Sequence, residues 1–147
     1  DPRAVVEVAI VGREVECAVL EIAGKATASV IGEIKVHEPH EFYDFEAKYL
    51  DGSTTFEVPA NLSDSISDQI KQSAITAFSA LGCEGLARVD FFLTPENQLI
   101  INELNTMPGF TSSSVFPMLW KESGIAYPEL ITELINSALK RPRNVVR

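Results

Sequence analysis

Cysteine is scarce in this 147-residue chain, and the two present, Cys17 and Cys83, sit in apolar stretches without metal-type spacing. That excludes a disulfide scaffold or a thiolate metal centre and predicts reduced thiols, as in a cytoplasmic protein. Basic residues are also few: 12 Lys and Arg against 21 Asp and Glu leave a formal net charge of −9. Nucleic-acid backbones are held by clustered Lys and Arg, so such a partner is not expected. Only the tail KRPRNVVR is basic, and it reads equally as a solvated chain end or a contact site. No apolar run approaches the roughly 18 residues that span a bilayer, so no membrane helix is predicted. There are no repeats and no low-complexity tracts. The opening DPRAVVEVAIV has no Met, no signal-like segment and no helix cap; it predicts a piece cut from a longer protein.

What is present is an ordinary globular composition, 46% hydrophobic, enough for one domain with a core. Residues 4–11 and 15–23 are β-rich and, separated by Gly12, Arg13 and Glu14, predict a hairpin. Residues 26–37 predict another strand, and TFEV a short one that stops at Pro59. Between them EPHEFYDFEAKYLDGSTT is long, polar and aromatic, the profile of a lid or binding loop. From Ser63 the period becomes helical, with Ile66, Ile70, Ala74, Ala77, Phe78 and Leu81 on one face. Ser63 or Ser65 caps its start, and Gly82 sits at the C′ position. Strands over 84–93 and 98–104 flank the turn TPEN. A short helix is expected over 115–123. A second runs from Tyr127 to Lys140, with Pro128 in its first turn and Leu130, Ile131, Leu134, Ile135 and Ala138 as its buried stripe. The fold class predicted is α+β, a mainly antiparallel sheet with packed helices.

The stretch RVDFFLTPENQLIINELNTMPG places polar residues inside strand-like runs. Side chains alternate along a strand, so Leu86, Arg88, Asp90 and Phe92 share one face, and Leu99, Ile101, Glu103 and Asn105 share one on the return. With TPEN as a four-residue loop, 93 opposes 98, 90 opposes 101 and 88 opposes 103. Arg88 then faces Glu103, Asp90 is diagonal to Glu103, and all four polar groups lie on one side. Ala87, Val89, Phe91, Ile100 and Leu104 form the opposite, apolar face. A plain Arg88–Glu103 salt bridge on a solvated face would explain the pair without chemistry. Phe92, Leu99 and Ile101 on the same side argue against open water. Two carboxylates and an amide that converge there repel unless a cation is present. Oxygen donors without Cys or His select Mg²⁺ or Mn²⁺, shared with substrate phosphates. Arg88 would hold a transferring phosphoryl group or an oxyanion. The run NTMPGFTSSS then leads into a helix start, a site for a carboxylate or phosphate.

RVDFFL, INELNTMPGFTSSS, FYDFEAKY (42–49) and VEVAIVGREVE (6–16) together resemble the D-alanine–D-alanine ligases of the ATP-grasp superfamily, from about Val5 to Leu139. The resemblance implies that the chain, residues 1–147, is the C-terminal part of an ATP-grasp domain. It implies a ligase joining two D-alanines for peptidoglycan precursors, with ATP cleaved to ADP and phosphate through an acyl phosphate. Asp90, Glu103 and Asn105 would hold two Mg²⁺ ions, Mn²⁺ being an alternative, and Glu103 would also serve the nucleotide. Arg88 would stabilise the acyl phosphate and tetrahedral intermediate, and the Gly109 backbone would donate to the oxyanion. Ser114 and Val115 would bind the second D-alanine's carboxylate. Lys48 would contact the γ-phosphate, Tyr49 and Tyr43 would close the lid over the substrates, and Phe42 would lie beside the adenosine. Glu7 and the backbone of Ala9 and Ile10 would hold the adenine, Glu14 the ribose and Phe92 the other side of the base. His37 and His40 match nothing catalytic; Trp120 and Tyr127 are expected to pack.

In this family an N-terminal domain and a central domain with further ATP-binding groups complete the cleft, so the rest of the same polypeptide is an expected partner and the chain alone is expected to be inactive. A homodimer is implied by the family only. A ligase using D-lactate or D-serine, and a non-catalytic ATP-grasp-like module, are the alternatives. Tyr43, Lys48 and Tyr49 favour the dipeptide over the depsipeptide, and the intact polar set argues against decay.

Overall fold

The computed structural model describes residues 3–36 and 54–141. Its centre is an antiparallel sheet of five strands in the order β3-β2-β1-β4-β5. These are β1 (Arg13–Ile22), β2 (Lys25–Val36), β3 (Thr54–Glu57), β4 (Leu86–Leu93) and β5 (Leu99–Asn105). Three helices accompany it: α1 (Asp64–Ala80), α2 (Val115–Glu122) and α3 (Tyr127–Lys140). The α+β expectation is met.

The hairpin predicted over 4–23 is not formed. Residues 3–11 carry no strand, and Val5, Val6, Val8 and Val11 are exposed. β-propensity alone does not make a strand; a ladder partner does, and none lies beside this run among the described residues. The hairpin instead joins β1 to β2 through Ala23 and Gly24, whose φ values of 51° and 80° are those of a two-residue primed turn. Gly12 has its own requirement: a Cβ there would stand 2.7 Å from the Leu93 carbonyl oxygen.

The central strand explains the pattern VECAVL, buried at six consecutive positions because both faces of the sheet are covered. Val15, Cys17 and Val19 join Ala87, Val89, Phe91 and Leu93 under α1, which contributes Ile70, Ala74 and Phe78 at helical spacing. Ala18 and Leu20 point the other way, into Phe116, Leu119, Trp120 and Leu130 of α2 and α3. Each Val, Leu, Ile and Phe side chain among them, fully buried, contributes about 1.5–3 kcal/mol. Where the β1–β2 register slips after Cys17, the Ala18 N–H donates to Ser29 Oγ (3.0 Å) and the Val30 N–H to Ser123 Oγ (2.8 Å). Two orphaned donors are thus satisfied, and the end of α2 is tied to β2.

Helix ends follow their chemistry. Ser63 Oγ accepts from Ile66 N–H at 3.4 Å, and Gly82 at φ 64° ends α1. Leu81, expected on the buried face, is the C-cap and exposed. In α3, Glu129 accepts from the Ala126 N–H. Its expected stripe is only partly buried: Leu130 is buried and Leu134 half-buried, but Ile131, Ile135 and Ala138 face solvent. Periodicity marks an apolar stripe, not what lies against it. Both cysteines are free, Trp120 is buried, and no helix among the described residues is long and apolar enough to cross a membrane.

Candidate active site

On the sheet face shared with α2 and α3, apolar cover ends at Ala18 and Leu20, and the next inward residues of β1 and β4 are polar. Glu16 opposes Asp90, Glu14 opposes Phe92, and Ala18 opposes Arg88. Directly opposed residues point the same way, so Glu14, Glu16, Arg88, Asp90 and Phe92 share this face.

β5 completes it by a different register from the one expected. The turn is a three-residue loop, Pro95 to Asn97. The Asn97 N–H donates to the Thr94 carbonyl (2.9 Å), Asn97 lies at φ 61°, and the Thr94 N–H donates to the Gln98 carbonyl (3.0 Å). Leu93 therefore opposes Leu99, and Phe91 opposes Ile101. Between Ile101 and Glu103 the ladder skips Asn102, after which Asp90 opposes Glu103 and Arg88 opposes Asn105. Asn102 is the extra residue of a bulge, and it exchanges the faces of everything beyond it. The four polar residues do share one face. Arg88 faces Asn105, however, rather than Glu103, and Asp90 is directly across from Glu103 rather than diagonal. Leu99 packs with the α1 core instead of lining the polar face, and Ile100, expected on the apolar face, opposes Phe92.

The Arg88–Glu103 salt bridge weighed as the plain alternative gives way to a tighter pair within β4. Arg88 Nε and Nη2 donate to the two Asp90 carboxylate oxygens at 2.7 Å each, and Arg88 Nε lies 3.3 Å from Glu16 Oε1. The three side chains are only 14%, 13% and 4% exposed, so this is a partly buried ion cluster, not a solvated pair. Burial alone would pull the Arg88 pKa down. The Asp90 hydrogen bonds and the charges of Glu16, Asp90 and Glu103 outweigh it and hold the guanidinium above its ordinary value. Glu16 was not expected from the sequence, although its alternation with Glu14 in REVECAVL was the available signal.

Beyond β5 the chain turns back over this face. Asn105 Oδ1 accepts from the Met107 N–H (2.9 Å), and the Phe110 carbonyl accepts from the Tyr127 hydroxyl (2.7 Å). Phe110 also packs on Tyr127 and Phe116, with ring centroids 5.8 Å apart in both pairs. Ser114 is the N-cap residue of α2, but its hydroxyl accepts from the Thr111 N–H (3.0 Å) and lies 2.8 Å from Thr111 Oγ1 instead of capping the helix. The first-turn N–H groups of α2 are left without a side-chain cap, a positive end available to an anion. Gly109 lies against Ser114, whose Oγ would be 3.0 Å from an added Cβ.

By donor type, oxygen without sulfur or imidazole, Asp90, Glu103 and Asn105 are the kind of set a hard cation takes. Among the described residues no group of three or more His, Cys, Asp or Glu could hold a metal by itself. Two opposed carboxylates and an amide oxygen suit an ion that completes its shell with a ligand's phosphates. Glu7, Ala9 and Ile10 lie in the run before β1, which joins no ladder. Phe42, Tyr43, Lys48 and Tyr49, with His37 and His40, lie outside the described residues.

Residues 1–136 match the sequence model of the family described as D-ala D-ala ligase C-terminus. The chain belongs to this family. It is 54% identical over 142 residues to the D-alanine–D-alanine ligase of Frankia casuarinae, covering 95% of this chain but 37% of that protein. Among solved structures it resembles the VanG D-Ala:D-Ser ligase of Enterococcus faecalis, with 37% identity, TM-score 0.75, and coverage of 87% of this chain and 36% of that one. It also resembles the Bacillus anthracis D-alanine–D-alanine ligase complexed with ATP, with 26% identity, TM-score 0.71, and coverage of 90% and 40%. The chain thus spans about two fifths of the length of its ligase relatives.

Proposed function

We propose that this chain supplies the C-terminal wall of the active site of an ATP-dependent D-alanine–D-alanine ligase. The observation that carries the reading is the convergence of Arg88, Asp90, Glu103 and Asn105 on the sheet face that α2, with its uncapped start, also packs against. Asp90, Glu103 and Asn105 would hold Mg²⁺, which neutralises phosphate charge when bound. Glu14 and Phe92, opposed across β1 and β4, would take the ribose and base of ATP. Arg88 places a permanent cation where charge grows on the phosphoryl group and later on the carbonyl oxygen. The Gly109 backbone and the first turn of α2, at Ser114 and Val115, would orient the second D-alanine by its carboxylate. Lys48, Tyr43 and Tyr49 would close over the site and keep water from the acyl phosphate. No side chain is required as a covalent nucleophile; catalysis is placement and electrostatics.

The likeness to the D-Ala:D-Ser ligase makes D-serine the second acceptor to consider. Assay of the complete polypeptide with ATP, Mg²⁺ and D-alanine, alone or with D-serine or D-lactate, decides between them. Phosphate release with D-alanine alone is expected. Asp90→Ala and Glu103→Ala should each abolish it, and full activity in either variant would sink the metal assignment.

A further inference from the structure

In this structure Arg88 and the cation expected at Asp90 cannot both have their best geometry. The guanidinium occupies both oxygens of Asp90 at 2.7 Å, and a divalent ion arriving at that carboxylate meets a fixed positive charge within hydrogen-bond distance. Like charges this close repel strongly in a site shielded from water. Arg88 therefore has to turn away, yet only 14% of its side chain is exposed, and a buried charge that leaves one partner needs another.

The second partner is already within reach. Glu16 stands across the β1–β4 ladder from Asp90, is 3% exposed, and has Oε1 3.3 Å from the Arg88 Nε that also serves Asp90. The guanidinium thus already lies between the two carboxylates. We propose that Glu16 is a positioning residue: it receives Arg88 when Asp90 turns to the metal, freeing Asp90 as a ligand while keeping the guanidinium on the reacting face. This rests on the metal–ATP reading of the site given above. No bond is made or broken in the exchange; one ion pair replaces another.

A simple electrostatic role for Glu16 would weaken metal binding whether or not Arg88 is present, whereas the exchange requires Arg88. The test is a double-mutant cycle in the complete polypeptide, with Mn²⁺ affinity measured by the electron paramagnetic resonance of free Mn²⁺ in the presence of ATP and absence of D-alanine. Glu16→Gln is expected to weaken Mn²⁺ by about tenfold in the otherwise unaltered protein, and by less than about twofold in an Arg88→Met background. A measurement needing no substitution accompanies it: the Arg88 Nε–H nitrogen resonance followed as Mg²⁺ and ATP are added. It should move to a new position and stay protected from exchange, because the hydrogen bond it donates passes from Asp90 to Glu16. An Nε–H resonance that does not move, or equal loosening by Glu16→Gln with and without Arg88, overturns the exchange but leaves the metal site standing. Absence of Mn²⁺ binding by the unaltered protein with ATP overturns both.

Discussion

Asp90 and Glu103 stand directly opposite one another across β4 and β5 because Asn102 is stepped over between them. Were Asn102 paired with Asp90 in an unbroken ladder, Glu103 and Asn105 would point with Phe91 and Leu93 into the core under α1. Inserting a Gly after Asn102 is expected to let the ladder run unbroken with Glu103 opposite Arg88, two residues along from Asp90, weakening Mn²⁺ binding with ATP at least tenfold, on the scale of one lost ligand. Deleting Asn102 should leave Asp90 opposite Glu103 in an unbroken ladder, with binding reduced far less. Equal loss in the two variants would mean the bulge is not what sets the site.

This bulge also marks where the sequence stops being readable. Arg88 and Asp90 could be placed on one face from sequence because alternation along a single strand is geometric, and the boundaries of α1 and α3 because Ser63, Gly82 and Pro128 act locally. On the return strand Glu103 and Asn105 are read on the correct face with the wrong partners, and Leu99 and Ile101 on the wrong face. A four-residue loop without a bulge and a three-residue loop with one both bring Glu103 to Asp90's side, and nothing in LIINELN distinguishes them. Glu16 was missed because a glutamate in a β-rich run reads as a solvent position until the opposite strand is known. The strand expected over 4–11 and the buried stripe of α3 failed for a shared reason: apolar pattern reports a surface, not its neighbour.

Tyr127 fastens the loop that carries Gly109. Its hydroxyl gives the Phe110 carbonyl a hydrogen bond of 2.7 Å, while its ring packs on Phe110. Tyr127→Phe keeps the packing and removes the bond, which should cost about 1 kcal/mol in urea unfolding. If that loop orients the second D-alanine, KM for this substrate should rise more than kcat falls. A variant as stable as the parent would show that the bond is satisfied equally by water.

Gly12 has no room for a side chain, since an added Cβ meets the Leu93 carbonyl at 2.7 Å. The contact is backbone on backbone, so relief requires moving β1 against β4 at the end that carries Glu14 and Phe92. Gly12→Ala should destabilise by about 1–3 kcal/mol and weaken ATP binding together. Thermal unfolding and nucleotide titration of the one variant check both halves.

Cys17 and Cys83 should differ sharply toward thiol reagents. Burial pushes the Cys17 thiol up to about 12, against smaller opposing influences from Ser29 and Lys71, and its residue is fully covered. Only the thiolate attacks a disulfide reagent, so at pH 8 the folded chain should titrate as one accessible thiol, Cys83, and as two once unfolded. Two rapidly reacting thiols in the folded chain would contradict the packing of β1 beneath α1.

Acid should weaken the fold through Glu33. Arg13 Nε and Nη2 donate to its two carboxylate oxygens at 2.8 and 2.7 Å, holding the carboxyl below its ordinary pKa; burial pulls the other way, and the charges of Arg13 and Lys35 add to the lowering. A carboxyl with a depressed folded value binds fewer protons folded than unfolded near its titration range. Its contribution is therefore complete above the unfolded value of about 4.3 and is lost as pH falls through the lower folded value. Glu33→Gln should lower the urea midpoint at pH 7, and the gap between variant and parent should close progressively below about pH 4. A gap that held constant or widened toward acid would show that Glu33 contributes by packing and not by its charge.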